Sequence, residues 1–317
     1  MPSIITHHVF AKNLLQKIPK PIYNSIINSI DIYYTFAQSH DFLFFSNKKI
    51  KALGHYAHKN KTQEYFLNII KYIKNNNLEN NSDILAYLYG SLTHYCLDSI
   101  CHPYIFYKTG TYNSDDKNTI KYRGEHTHIE KDLDAIYYQK EYHQEYKYCN
   151  VSKDIIKNPN FKNKLNETIN YAYYETYNVN NIAKYYKNAI KKAKIIYTLF
   201  INDKFGFKEN IYKIIDKITN KKLGYLEGYS THIKPNLEFL NNSHKTWNHP
   251  CNINEKYNYS FDDLMEISTQ KCLNMINEIN QALFDRSNID LKNIIPNISY
   301  TTGLDLDKNK IMKYFEY

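Results

Sequence analysis

Apolar residues recur at helical spacing along most of this chain. Between residues 63 and 75, Phe66, Ile69, Ile70 and Ile73 fall at i, i+3, i+4 and i+7, the stripe of an amphipathic helix. Ser82 with Asp83 reads as a helix start, and Ile84, Leu85, Leu88, Leu92 and Tyr95 then build a segment that is apolar on nearly every side. Pro103 predicts that this helix stops near His102, because the residue before a proline disfavours α geometry. The stretch GTYNSDDKNTIKYRG, residues 110–124, is polar and reads as a loop, with a further helix starting near Gly124 in EHTHIEKDLDAIYY. Residues 166–200 predict one or two tyrosine-rich helices. Ser260 and Asp263 form a capping box ahead of Phe261, Leu264, Met265, Cys272, Ile276, Ile279 and Leu283. Past Asn288 the periodicity fades. With no repeat, no Ser/Gly-rich linker and no strand series, the pattern predicts one all-α domain over residues 1–287, and a tail or loosely packed extension over 288–317.

Composition changes this picture little. Of 317 residues, 43% are hydrophobic and 23% charged, which is ordinary for a folded chain with a sizeable core. Eight glycines and eight prolines disfavour β-sandwiches and Gly-rich nucleotide loops. Lys, Asn, Ile and Tyr dominate and arginine occurs only at 123 and 286, a bias that AT-rich codons account for. The net charge of +9 permits contact with phosphodiesters, nucleic acid or anionic lipid, but no run of five like charges singles out a partner. Five cysteines without a close C-x-x-C pair read as free core thiols. The start, MPSIITHHVFAKNLLQKIPK, lacks a signal-peptide pattern and no apolar run reaches transmembrane length, so a cytoplasmic location is expected.

The chemistry sits where the apolar pattern is interrupted. In GSLTHYCLDSICHPYIFY, His94, Asp98 and His102 lie four apart and share one face of a greasy helix, where unpaired polar groups are costly. One such column is either a hydrogen-bonded network or a metal site. A second column, His126, Glu130 and Asp134 in HTHIEKDLD, shifts the balance toward metal; His128 and Asp132 form a competing pair on the opposite face, and His126 with Glu130 is preferred. Imidazole nitrogen and carboxylate oxygen suit zinc. Further candidates are His7 and His8 in THHVF, His40 and Asp41 in AQSHDFLFF, and His55 and His58 in GHYAHKN.

Taken in order, T-H-x-x-F, A-Q-x-x-D-x-x-F-F, G-x-x-x-H, G-S-L-x-H-Y-x-L-D-x-x-x-H-P-Y and H-x-x-x-E-x-x-x-D resemble the zinc-dependent phospholipase C family, which is all-α and related to the fungal single-strand nucleases. EFLNNSHKTWNHP, with Trp247, and the following SFDDL extend the likeness. The resemblance implies two or three zinc ions per chain. Asp41, His58 and His94 would hold one zinc together with a bridging Asp98, while His102, His126 and Glu130 would hold another and His7 would help hold a third. It also implies hydrolysis of a phospholipid headgroup by a zinc-activated hydroxide, with Asp41 as ligand and orienting base. The alternatives of His8 for His7, His55 for His58 and His128 for His126 stay open.

Three departures stand out. The chain lacks the N-terminal tryptophan of secreted members and would expose Pro2 after methionine removal. Its Asp98–His102 gap is shorter, and no C-terminal lipid-docking β-domain is visible. The partners expected are a phospholipid or other phosphodiester and an anionic membrane met peripherally, with no stable nucleic-acid partner. Rival readings are a single-strand nuclease, an HD-type phosphohydrolase built on His40–Asp41, and a non-catalytic zinc protein of the same fold.

Overall fold

The computed structural model describes residues 4–113, 115–219, 234–284, 290–308 and 311–316. Helices α1 (Ile4–Lys17), α2 (Lys20–Ile26) and α3 (Ile30–Phe36) lead into a 3-10 segment, Ser39–Phe45, followed by α4 (Lys48–Ala57) and α5 (Thr62–Asn75). Then come α6 (Ser82–Thr109), α7 (Glu125–Tyr142), α8 (Asn163–Tyr177), α9 (Ile182–Ile196), α10 (Phe207–Ile218) and α11 (Phe261–Phe284). The fold is all-α, with one small addition that the sequence pattern did not reveal. Strands β1 (Trp247–His249) and β2 (Asn252–Tyr257) pair antiparallel in a two-stranded hairpin. The tyrosine-rich stretch divides into α8 and α9, with Asn178 and Asn181 in left-handed conformation at the break. Asparagine tolerates that conformation better than most residues.

Helix α6 is the axis of the molecule. The Asn81 side chain accepts the Ile84 N–H and so fixes its start one residue before Ser82. Helices α3 and α11 flank it, and α1, α2, α7 and α8 also touch it. The approach of α3 is close: a β-carbon on Gly90 would lie 2.4 Å from the Tyr33 carbonyl oxygen. Because α6 is enclosed on all sides, it carries no single apolar stripe; Ile84, Leu85, Leu88, Leu92 and Tyr95 are all fully buried. The capping box of α11 forms as a reciprocal pair, Asp263 N–H to Ser260 Oγ at 3.1 Å and Ser260 N–H to Asp263 Oδ2 at 2.8 Å.

Two expectations about packing are corrected. Helix α6 does not stop at His102 but continues through Pro103 to Thr109. Proline has no N–H to give the Ser99 carbonyl. That carbonyl instead lies against the α-carbon of Gly303, where a β-carbon would sit 2.3 Å from the oxygen. The second correction follows from the first, because residues 290–308 are not loosely packed. Ile295 and Tyr300 are fully buried, Tyr95 Oη donates to the Pro296 carbonyl at 2.6 Å, and Thr62 Oγ1 donates to the Ile298 carbonyl at 2.8 Å. The expected boundary at 287/288 lies outside the described residues, as does Pro2.

Candidate metal centre

Five elements deliver the polar side chains of the interior to one place. Helix α6 presents His94, Asp98 and His102 on one face, α7 presents His126 and Glu130, α1 presents His7, the 3-10 segment presents Asp41, and His58 closes the C-terminus of α4. Among the described residues three groups result whose ligand atoms lie within 4.8 Å of one another: His7, Asp41 and His94; His58, His94 and Asp98; His102, His126 and Glu130. Asp98 is the hub. Its Oδ1 lies 3.1 Å from His7 Nε2, and its Oδ2 lies 3.3 Å from His94 Nε2, 3.6 Å from His102 Nδ1 and 3.7 Å from His58 Nε2. Asp41 Oδ1 is 3.1 Å from His58 Nε2 and 4.0 Å from His94 Nε2. Glu130 Oε1 is 3.1 Å from His126 Nε2 and 3.7 Å from His102 Nε2.

Hydrogen bonds outside the cluster decide which ring nitrogens face inward. His58 Nδ1 donates to the Gly54 carbonyl at 2.7 Å, and His102 Nδ1 donates to the Tyr300 carbonyl at 3.0 Å. A carbonyl only accepts, so in the neutral rings Nε2 holds the lone pair. His58 Nε2 then points its lone pair at His94 Nε2, 3.2 Å away, and at the Asp41 carboxylate, while His102 Nε2 faces Glu130. Lone pairs turned on one another repel unless a proton or a cation lies between them. Asp98 Oδ2, His7 Nδ1, His94 Nδ1 and His126 Nδ1 are buried without a hydrogen-bond partner. Such orphaned atoms are rare in native interiors, and this donor set of imidazole nitrogen and carboxylate oxygen fits zinc.

The electrostatics of the metal-free cluster agree. Burial works against charge on Asp98 and Glu130, yet Asp98 is held well below the ordinary carboxylate range by His102, His94 and His7, and Glu130 is held down by His126 and His102. Burial also opposes charge on the histidines, but Asp98 and Glu130 outweigh it at His102, which is raised to about 9. Asp98 likewise raises His7, and Asp41 raises His58. His94, which is wholly enclosed, is pushed well below 6.5 by burial.

The remaining candidates have other occupations. Asp134 accepts from Ile5 N at 3.2 Å, Thr6 N at 2.7 Å and Thr6 Oγ1 at 2.8 Å, so it caps the start of α1 and holds His7 in place. His128 faces away with Asp132, whose carboxylate accepts the Asn236 N–H at 3.0 Å. His55 stacks on Phe44 at a ring distance of 4.5 Å, outside the cluster. His8 packs against Tyr34 and is pushed down to about 3, chiefly by burial, as a neutral core histidine. His40 is not in any of the three groups; its Nδ1 meets Tyr173 Oη at 2.5 Å, and Tyr173 Oη meets Tyr186 Oη at 2.6 Å.

Tyr300 is a contributor that sequence reasoning missed. Its N–H donates to the His58 carbonyl at 2.9 Å, its carbonyl orients His102, and its ring lies 5.3 Å from His58 and 5.6 Å from His94. Main-chain groups do this, so no side-chain motif marks it. Of the three groups, the two around Asp98 and Asp41 are buried, whereas His102 and His126 are partly exposed. The centre is therefore most open to solvent on the α7 side.

The family described as zinc dependent phospholipase C matches residues 6–179, more than half of the chain. The chain belongs to the zinc dependent phospholipase C family. No curated protein and no solved structure matches it. Every member of the three groups falls inside the family region, and Tyr300 falls outside it. Among the described residues, no helix of this phospholipase C family member is long and apolar enough to cross a membrane.

Proposed function

We propose that the chain is a zinc-dependent phosphodiesterase that releases the headgroup of a phospholipid, cleaving on the glycerol side. The observation that carries this reading is the inward-facing donor set, in which Asp98 stands between His7, His94 and His58 on one side and His102 on the other. His58, His94, Asp41 and Asp98 would hold one zinc, His102, His126 and Glu130 a second, and His7 with Asp98 would contribute to a third. Zinc bound there supplies an activated water at neutral pH and neutralises charge on the phosphate oxygens.

The residues supply the rest. Gly54 and Tyr300 carbonyls lock His58 and His102 in the Nδ1–H tautomer, so that neither ring must reorient when zinc or substrate arrives. Asp41 would accept a proton and orient the attacking water, a role that its 3.1 Å contact with His58 supports. Phe106 lies beside His126 at a ring distance of 4.6 Å and gives the open side an apolar wall.

A lipid is favoured over single-stranded nucleic acid by the family match, which is to a phospholipase C. The experiment is to measure zinc per chain in protein purified without tag or chelator, then turnover on phosphatidylcholine and on single-stranded DNA in parallel. Two or three zincs with lipid turnover support the proposal. Bound zinc with no turnover on either substrate leaves a non-catalytic zinc protein, and turnover on DNA alone makes it a nuclease.

A further inference from the structure

Helix α10 is mounted inside out. Phe207, Ile211, Ile214 and Ile218, at i, i+4, i+7 and i+11, form one apolar stripe, and such a stripe ordinarily faces the core. Here those four side chains are 71%, 53%, 59% and 76% exposed. It is the polar side that packs. Tyr212 and Asp216 are buried, Tyr212 Oη donates to the Phe200 carbonyl, and Lys208 Nζ donates to the Thr198 and Asn202 carbonyls at 2.8 and 2.6 Å. The Asp203 carboxylate accepts the Glu209 N–H at 3.0 Å and fastens the first turn. Phe205 is also exposed, its ring 6.2 Å from that of Phe207, and on the end of α9 and the turn after it Ile195, Leu199 and Phe200 are exposed as well.

The charge around this surface has one sign. Residues 182–218 carry nine lysines against three carboxylates, a net +6 out of +9 for the whole chain. Helix α9 has five lysines and no acidic residue, with Lys184, Lys191 and Lys192 on the exposed face that runs on to Ile195 and Leu199. An apolar stripe bordered by lysines matches the headgroup region of an anionic bilayer, where apolar side chains enter the acyl boundary and ammonium groups stay among the phosphates. A second copy of the chain matches it poorly, since a symmetric contact would set lysine-rich faces against each other.

We propose that α10, with the exposed end of α9, is the surface by which this protein docks on an anionic phospholipid bilayer. The inference deepens the proposed function, and rests on it for the reason a bilayer matters. The surface joins the core through Tyr197, the first residue of the turn that receives α10, which is buried.

The test uses the zinc-loaded full chain and its double variant Ile211→Ser/Ile218→Ser. Binding is read by co-sedimentation with phosphatidylcholine vesicles with and without phosphatidylglycerol, and turnover by a short-chain, monomeric phosphatidylcholine. Docking predicts that the wild type sediments with the anionic vesicles, and that the double variant binds at least about tenfold more weakly. It predicts unchanged turnover of the monomeric lipid, and Lys191→Gln/Lys192→Gln should erase the preference for phosphatidylglycerol. Equal vesicle binding by wild type and double variant overturns the inference. So does a double variant that melts several degrees lower, which would show the stripe covered by another part of the chain, or a dimer that the substitutions split. Loss of vesicle binding in the double variant, with no turnover of either lipid by the wild type, upholds the docking surface and sinks the proposed function instead.

Discussion

Asp98 is the residue on which the centre turns, because four histidines address its two oxygens and removing its charge leaves them facing one another. Asp98→Asn keeps the shape and removes the anion. We expect zinc content to fall and turnover on phosphatidylcholine to drop by at least about a hundredfold, checked by metal analysis beside the lipid assay. The same residues set the pH response of the metal-free protein. His7, His58 and His102 have folded values above 6.5, so their contribution is full below pH 6.5 and is lost as pH rises toward about 9. His8, His40 and His94 have folded values below 6.5, so theirs is full above pH 6.5 and is lost as pH falls. Denaturation midpoints measured in chelator across pH should therefore peak near 6.5 and fall on both sides. With zinc the ligating rings stay unprotonated, and the alkaline loss should vanish.

At the scale of elements, spacing carried the reading furthest where one helix supplied several ligands. His94, Asp98 and His102 on α6, and His126 and Glu130 on α7, share a face for the simple reason that four residues are about one turn. Spacing could not assign Asp134, which continues the α7 column yet points at the start of α1. Its role needs α1 in place, and that is tertiary information. Asp134→Ala removes the acceptor of three donors at the head of α1. The expected cost is roughly 1–3 kcal/mol in chemical denaturation. Zinc should be lost from the His7 side, while the His102, His126 and Glu130 group keeps its affinity. Helix α10 shows the opposite limit: the sequence reading passed over residues 207–218, and their apolar period fixes a stripe without saying which way it faces.

For the molecule as a whole, the all-α architecture could be read from the chain because apolar periodicity is a local property that nearly every helix displays. Pro103 misled because the helix runs on through it, with the unbonded Ser99 carbonyl packed against Gly303, two hundred residues away. Gly303 holds φ at +66°, and a β-carbon there meets the Ser99 carbonyl. Gly303→Ala should thus lift the segment that carries Tyr300 and free the His102 ring. We expect zinc affinity to weaken about 10- to 100-fold, measured by competition with a chromophoric chelator, with a lowered melting temperature in the metal-free protein. If affinity is unchanged, Tyr300 does not orient His102.

That arrangement also sets a timetable. His7 and Tyr300 lie almost three hundred residues apart in sequence, so the cluster is finished by contacts of long separation. Contacts of that kind form late, after the cost of closing a long loop has been met. A chain emerging from the ribosome will have His94, Asp98, His126 and Glu130 in place well before residue 300 is made. Early zinc would meet a half-built centre with His102 free to turn, and full-strength loading waits for the segment that carries Tyr300.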